Sequence, residues 1–165
     1  MTNGEYKIVL VKEEYFRKYN SILVEMLDST DVEKQARRMY MFLSVFIDNN
    51  NILIPLRSEL PDITKLGLIG YHVPSEKRPN AGLDYRKMLI INDNNYLSPI
   101  YNLEIPLSQK NIISENYQTI LKQAEQYIKG YKKAVNKNRH MCDKKFKFST
   151  LHNFHKELCL IKELA

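Results

Sequence analysis

Apolar positions recur mainly at strand spacing over the first hundred residues and at helical spacing beyond about residue 113. Tyr6–Val11 (YKIVLV) is a short apolar run that predicts a first strand. Lys12–Asn20 and Ser21–Leu27 set Tyr15, Phe16, Tyr19, Leu23 and Leu27 near helical spacing, and the polar Asp28–Lys34 is a loop or a short turn of helix. Met39–Ser58 predicts a β-hairpin: a long apolar strand, a polar Asp48-Asn49-Asn50-Asn51 turn, and a second apolar strand. The second strand stops at Pro55-Leu56 and delivers Arg57 and Ser58 at its C-terminal end. Glu59–Leu66 is a connection containing Pro61. Gly67–Val73 is a strand weakened by Gly70, and Pro74–Gly82 is turn-forming throughout. Lys87–Ile91 predicts another strand, Asp93-Asn94-Asn95 a turn, and Tyr96–Pro106 an extended segment interrupted at Pro99.

The period then changes. Ile113, Tyr117, Ile120, Leu121, Ala124, Tyr127, Ile128, Tyr131, Ala134 and Val135 form one apolar stripe on a long helix, with Glu115, Gln118, Lys122, Gln126, Lys129 and Lys133 opposite. Ser149 or Thr150 can cap a last helix carrying Leu151, Phe154, Leu158 and Ile161. The expected class is α+β: a compact, mostly antiparallel sheet with peripheral helices and a long helix near the C-terminus. At 165 residues and 44% hydrophobic, the chain is expected to be one domain over 1–165.

Composition narrows the classes. No apolar run approaches the roughly 18 residues of a membrane span, and MTNGEYKIVLV lacks the basic-then-apolar order of a secretory leader. Cys142 and Cys159 have no metal-ligand or redox spacing, which suits a reducing cytoplasm. The net charge of +6 favours a polyanionic partner. The basic residues Lys129, Lys132, Lys133, Lys137, Arg139, Lys144, Lys145 and Lys147 face the single acid Asp143 in one stretch. That stretch is either a solvated face or a phosphate-tracking surface.

No phosphate-binding loop, dinucleotide fingerprint, nucleophile elbow or HExxH motif is present. Carboxylates do not pair at metal-binding spacing, which argues against a two-metal nuclease. His72, His140, His152 and His155 are scattered. His152 and His155 stand at i,i+3, and without a third ligand they predict a surface pair and no metal or other cofactor. A metal-free route remains: RNA cleavage by its own 2′-hydroxyl, in which the protein chiefly positions groups and stabilises charge. Arg57 suits the phosphorane, because its planar fork matches two phosphate oxygens. Ser58 is placed to hydrogen-bond the scissile phosphate or orient the 2′-hydroxyl. Lys87 and Arg38 are further cations at strand starts. Tyr85 and His72 are candidates for base stacking or proton transfer, with Tyr40 and Arg86 beside them in RNA binding. Lys77 and Arg78 sit in a loop of the kind that contacts substrate. Each also has an ordinary alternative, as a strand end or a solvated charge.

Three places carry a resemblance. ILIPLRS is similar to a strand ending in Pro-Leu, a polar residue and serine. GLDYRKMLII resembles a GLDY-x-Lys-aliphatic segment, and KFKFSTLHNFHKEL a Phe-Ser-x-Leu helix start. In this order and spacing they resemble the toxins of type III toxin–antitoxin systems, the ToxN/AbiQ group and its CptN and TenpN branches. The resemblance implies a β-barrel-like fold of the Kid/MazF kind with added helices. It implies a metal-independent, sequence-preferring endoribonuclease that leaves 2′,3′-cyclic phosphates on mRNA. It further implies processing of, and inhibition by, a small repeated, pseudoknot-like antitoxin RNA in a protein–RNA assembly. Ser58 takes the family serine, Arg57 the polar position before it, Arg38 the place of a lysine ahead of the long strand, and Lys87 the lysine of the GLDY segment. Asp84 is expected to orient that loop or pair with a cation beside the RNA. Leu60 departs from the pattern, standing where the ToxN branch has a lysine in its catalytic site. A non-catalytic RNA-binding protein on the same fold, or a toxin directed at DNA gyrase, are the alternatives left open.

Overall fold

Seven short strands pair antiparallel into one sheet, and four helices pack around it in the computed structural model, which describes residues 6–62, 68–99 and 105–160. In chain order these are β1 (Lys7–Val11), α1 (Glu13–Tyr19), α2 (Val32–Arg37), β2 (Tyr40–Leu43), β3 (Ile52–Arg57), β4 (Gly70–His72), β5 (Gly82–Asp84), β6 (Leu89–Ile90), β7 (Leu97–Pro99), α3 (Leu107–Glu115) and α4 (Tyr117–Asn136). The strand order is β4-β5-β3-β2-β1-β7, with β6 pairing β3 off that path. Among the described residues no pairing joins β4 to β7, so the sheet is open, and the expected barrel-like closure is not seen.

β3 is the strand on which the fold turns. One edge pairs with β2 from Ile52 to Pro55. The other pairs first with β6, at Ile52 and Leu53, and then with β5, at Leu56 and Arg57. Pro55 falls in the gap between these two partners, where a strand interior tolerates a residue without an N–H. Ile52, Leu53 and Ile54 are fully buried. Leu83, Tyr85 and Met88 join them, as do Ile120, Ala124, Tyr127, Ile128 and Tyr131 from the stripe of α4.

The first hairpin strand is shorter than its apolar sequence predicts. β2 ends at Leu43, because Val45, Asp48 and Asn49 adopt left-handed backbone (φ 48°, 55° and 61°) that no strand accommodates. The expected four-residue turn is a longer loop with a 3-10 turn, and two of its asparagines are buried. Asn50 donates through Nδ2 to the Glu157 carbonyl at 2.7 Å, and Asn51 through Nδ2 to Asn94 Oδ1 at 3.0 Å. These bonds fix the loop against the C-terminal segment and against the turn between β6 and β7.

Other differences have similar causes. Ser21–Leu27 is not helical: Glu25 has φ 61°, and the Asn153 side chain takes both the N–H and the carbonyl of Val24. The second helix lies later, at Val32–Arg37, where Asp31 caps it by accepting from Lys34 N at 3.0 Å. The predicted long helix divides into α3 and α4 at Asn116, which bonds the Ile112 carbonyl through Nδ2 at 2.8 Å. Ser149 caps the final segment as expected. That segment is only a 3-10 turn (Thr150–Asn153) followed by further turns, although Leu151, Phe154 and Leu158 are buried. Ile161 lies outside the described residues, as does the start of the strand predicted from Gly67.

Two glycines allow β4 and β5 to pair closely beneath Leu60. A Cβ on Gly82 would stand 2.6 Å from both Leu60 Cδ2 and the Tyr71 carbonyl oxygen; one on Gly70 would stand 2.5 Å from the Leu83 carbonyl oxygen. Gly82→Ala is therefore expected to destabilise the fold by about 1–3 kcal/mol, seen as a lower urea midpoint with an unchanged slope.

Candidate active site

The C-terminal end of β3 opens into a cleft of about 500 Å³ with a strongly cationic wall. α2 contributes Lys34 and Arg37, and Arg38 follows it directly; β3 contributes Arg57 with Ser58 beyond it. The loop between β4 and β5 adds Ser75, Lys77 and Arg78, and Gln109 of α3 closes the floor. Among the described lining residues there are six cations and no carboxylate. A smaller cavity of about 140 Å³ shares Lys34, Arg38, Arg57 and Ser58, and brings Asp28 and Glu59 to that side.

Local chemistry makes this wall rigid. The β4–β5 loop is cross-tied by Ser75 and Arg78: each N–H donates to the other's carbonyl at 3.1 Å, and Ser75 Oγ also accepts from Arg78 N at 3.2 Å. Leu60 N donates to the Asn80 carbonyl at 2.8 Å, and buried Gln109 donates to the Val73 carbonyl at 2.7 Å. Lys77 and Arg78 are exposed on a fixed loop.

The arginines have different settings. Arg57 donates through Nη1 to Asp84 Oδ2 at 2.8 Å, with a quarter of its side chain exposed toward the cleft. Asp84 is wholly buried and also receives Arg86 through its backbone N–H (3.0 Å) and its guanidinium (3.3 Å to each oxygen). Arg38 pairs with Asp28, while its Nε is buried without a hydrogen-bond partner among the described residues. Such a donor is costly to leave unmade. Burial raises the Asp28 pKa, but the hydrogen bonds and charges of Lys34 and Arg38 outweigh it and hold the carboxyl below its usual value.

The structure therefore brings together Arg38, Arg57, Ser58, Lys77 and Arg78 of the residues expected from sequence. Lys87 is not among them. Its Nζ donates to the carbonyls of Glu25 (2.8 Å) and Phe148 (2.7 Å), and burial lowers its pKa, so it ties two segments together instead of facing a substrate. Tyr85 and Tyr40 are buried, with hydroxyl pKa values pushed up by desolvation, and Tyr85 donates to Gln123 Oε1 at 2.9 Å; neither can stack on a base. Asp84 is buried beneath Arg57 and holds Arg86 as well, and neither Asp84 nor Arg86 lines the cleft. His72 lines a separate cavity of about 270 Å³ with Tyr71, Ile112 and Gln123. Lys132 pairs with Asp48 at 2.8 Å. Lys145 lies over the Tyr127 and Phe146 rings and Lys147 over Phe148, while Lys133 and Lys144 are solvated; none of these lines the cleft. Leu60 is a core residue packed over Gly70 and Gly82, so position 60 has no access to the cleft. Sequence reasoning missed Lys34, Arg37, Ser75 and Gln109. The only signal for the first two was their i,i+3 spacing ahead of Arg38.

No family model matches the sequence, and no curated protein matches it. Solved structures do share its fold. AbiQ, a lactococcal anti-phage endoribonuclease belonging to the type III toxin–antitoxin system, aligns with a TM-score of 0.64 over 95% of this chain and 98% of its own, at 20% identity. A structure from bacterial type III toxin–antitoxin systems, with selective toxin inhibition by a non-coding RNA pseudoknot, aligns at 0.56 over 75% and 78%, at 15% identity. A third, from a bacterial antiviral system regulated by a processed non-coding RNA, aligns at 0.54 over 90% and 98%, at 15% identity. The chain has the fold of these toxins.

Asp84→Asn leaves two guanidiniums without their buried anion, and a loss of about 3–5 kcal/mol is expected in urea unfolding. Asp28 gives a pH test. Its carboxyl is held below 3.8, so its contribution is complete above that value and disappears as pH falls through the folded-state value. The stability gap between the native chain and Asp28→Asn should shrink over that acid window; a constant gap would contradict the assignment.

Proposed function

We propose that the protein is a metal-independent endoribonuclease toxin of the type III kind, cleaving mRNA at its cationic cleft and held inactive by a repeated pseudoknot RNA. The observation that carries this reading is the lining of the cleft: among the described residues, six cations, two serines and no carboxylate at the end of β3. Such a wall attracts a phosphodiester. The shared fold with an endoribonuclease and with RNA-inhibited toxins supports the same reading.

In the proposed reaction the RNA 2′-oxygen attacks the adjacent phosphorus, and the 5′-oxygen leaves carrying a proton. The products are a 2′,3′-cyclic phosphate and a 5′-hydroxyl. Arg57, fixed by Asp84, and Arg38, fixed by Asp28, line the cleft and stabilise the charge that builds on the phosphorane oxygens. Ser58 hydrogen-bonds a phosphate oxygen or orients the 2′-hydroxyl. Arginine keeps its protons, so the arginines of the cleft stabilise charge and do not act as acid or base. Lys77 and Arg78 track the neighbouring phosphates. The antitoxin RNA and the mRNA compete for the same wall, within the cytoplasm.

Purified protein freed of RNA and incubated with a long unstructured RNA in EDTA should give discrete cuts with cyclic-phosphate ends. Ser58→Ala and Arg38→Ala should each lower the rate by about 100-fold or more, while RNA binding persists. Binding without cutting in the native protein would instead favour a non-catalytic RNA-binding module, the reading that Leu60 supports. Replacing Lys77 and Arg78 by alanine should flatten the slope of log affinity against log salt by about 0.7 per charge removed. An unchanged slope would remove those residues from the RNA track.

A further inference from the structure

A second cluster lies apart from the cleft, where the turn after α4 meets the C-terminal segment. His140, His152 and His155 each offer a ring nitrogen within 4.8 Å of the other two. Their rings surround the buried Tyr131 ring, at centroid distances of 6.0, 5.4 and 5.7 Å. The Tyr131 hydroxyl stands 2.7 Å from His152 Nδ1 and 2.6 Å from His155 Nε2. The pair expected from sequence thus has a third histidine beside it, His140.

Hydrogen bonding sets the tautomer of one ring. His152 Nε2 lies 3.0 Å from the Lys147 carbonyl, which only accepts, so Nε2 carries the proton and Nδ1 of the neutral ring turns a lone pair toward the cluster. The tyrosine can satisfy two nitrogens, donating to one and accepting from the other. His140 Nδ1 is then left buried without a hydrogen-bond partner among the described residues. Packing among neutral histidines explains the ring contacts but not that orphaned nitrogen. A cation between the rings satisfies all three.

We propose that His140, His152 and His155, with the Tyr131 hydroxyl as the fourth donor, form a binding site for a zinc-type divalent ion. Three imidazoles and one oxygen suit zinc over calcium or magnesium. Ligands at about 2.0–2.1 Å from a tetrahedral ion stand about 3.4 Å apart, so the trio closes on the ion by side-chain rotation. All three histidines are half-buried, leaving a path for entry. The ion's role is structural. It clamps the end of α4 to the segment that receives Lys87 at the Phe148 carbonyl and sends Thr150 Oγ1 to the Arg86 and Met88 carbonyls. No ligand lines the cleft, so this site stands whether or not the cleft cuts RNA.

The full-length chain, stripped by chelation and dialysed, is titrated with zinc against a chromophoric chelator and with cobalt by visible absorption. The expected result is one equivalent bound per chain, an intense tetrahedral cobalt spectrum, and a higher melting temperature with zinc. The double variant His140→Ala/His155→Ala should lose all three, His72→Ala should keep them, and Tyr131→Phe should weaken binding about 10- to 100-fold. His140→Gln, which keeps the bulk of the side chain, carries the test if the double variant does not fold, as judged by circular dichroism. No binding at micromolar zinc, or binding undiminished in His140→Gln, would overturn the proposal.

Discussion

The buried carboxylate of Asp84 is the constraint from which the arrangement of the cleft follows. It is removed from solvent at the end of β5 and faces two guanidiniums and a backbone N–H. An ion so placed is tolerated only when its oxygens are fully hydrogen-bonded. Meeting that condition draws Arg57 down onto the sheet and fixes the end of β3. Asp84 reaches this depth because Gly70 and Gly82 let β4 and β5 approach one another and Leu60 without a Cβ between them. The glycines, the leucine and the carboxylate therefore act as one unit. It also explains why a leucine fits at position 60: the side chain there covers the glycine pair and points into the core.

Charge is distributed around this anchor with a purpose that differs from place to place. At the cleft, six described cations face one space; Asp84 beneath Arg57, and Asp28 and Glu59 on the side of the smaller cavity, relieve part of their mutual repulsion. The rest of the positive charge is left facing the cleft. Along α4 and the turn after it, by contrast, lysines are paired, laid over aromatic rings or solvated. The denser run of basic residues in the sequence is thus not the one that builds a cavity. Arg86 and Lys87 likewise act inside the fold, on Asp84 and on two backbone carbonyls, so the GLDYRK segment is conspicuous in sequence for reasons of assembly.

Much of the fold was legible in the chain. β1, β3 and the stripe of α4 follow their apolar patterns closely, because those patterns encode burial: of one face along α4, and of both faces along the continuous apolar run of β3. Ser149 caps where a cap was expected. Arg57, Ser58, Arg38, Lys77 and Arg78 were all identified as candidates, and they do converge. What failed was local reading where distant groups decide the backbone. β2 stops early because Asn50 and Asn51 bond to Glu157 and Asn94, and Ser21–Leu27 is irregular because Asn153 takes its polar groups. Lys87 looked like a free cation until its two carbonyl partners, from opposite ends of the chain, were in view.

The sequence by itself determined the class of the fold, the strand that ends in Arg57-Ser58 and the excess of positive charge, since these depend on composition and short-range spacing. The tertiary structure alone decided which charges face the cleft and which are consumed in holding it. It also decided that His140 stands beside two histidines more than ten residues away. Both depend on the burial and hydrogen-bond demands of groups far apart in the chain, and no local pattern records those demands.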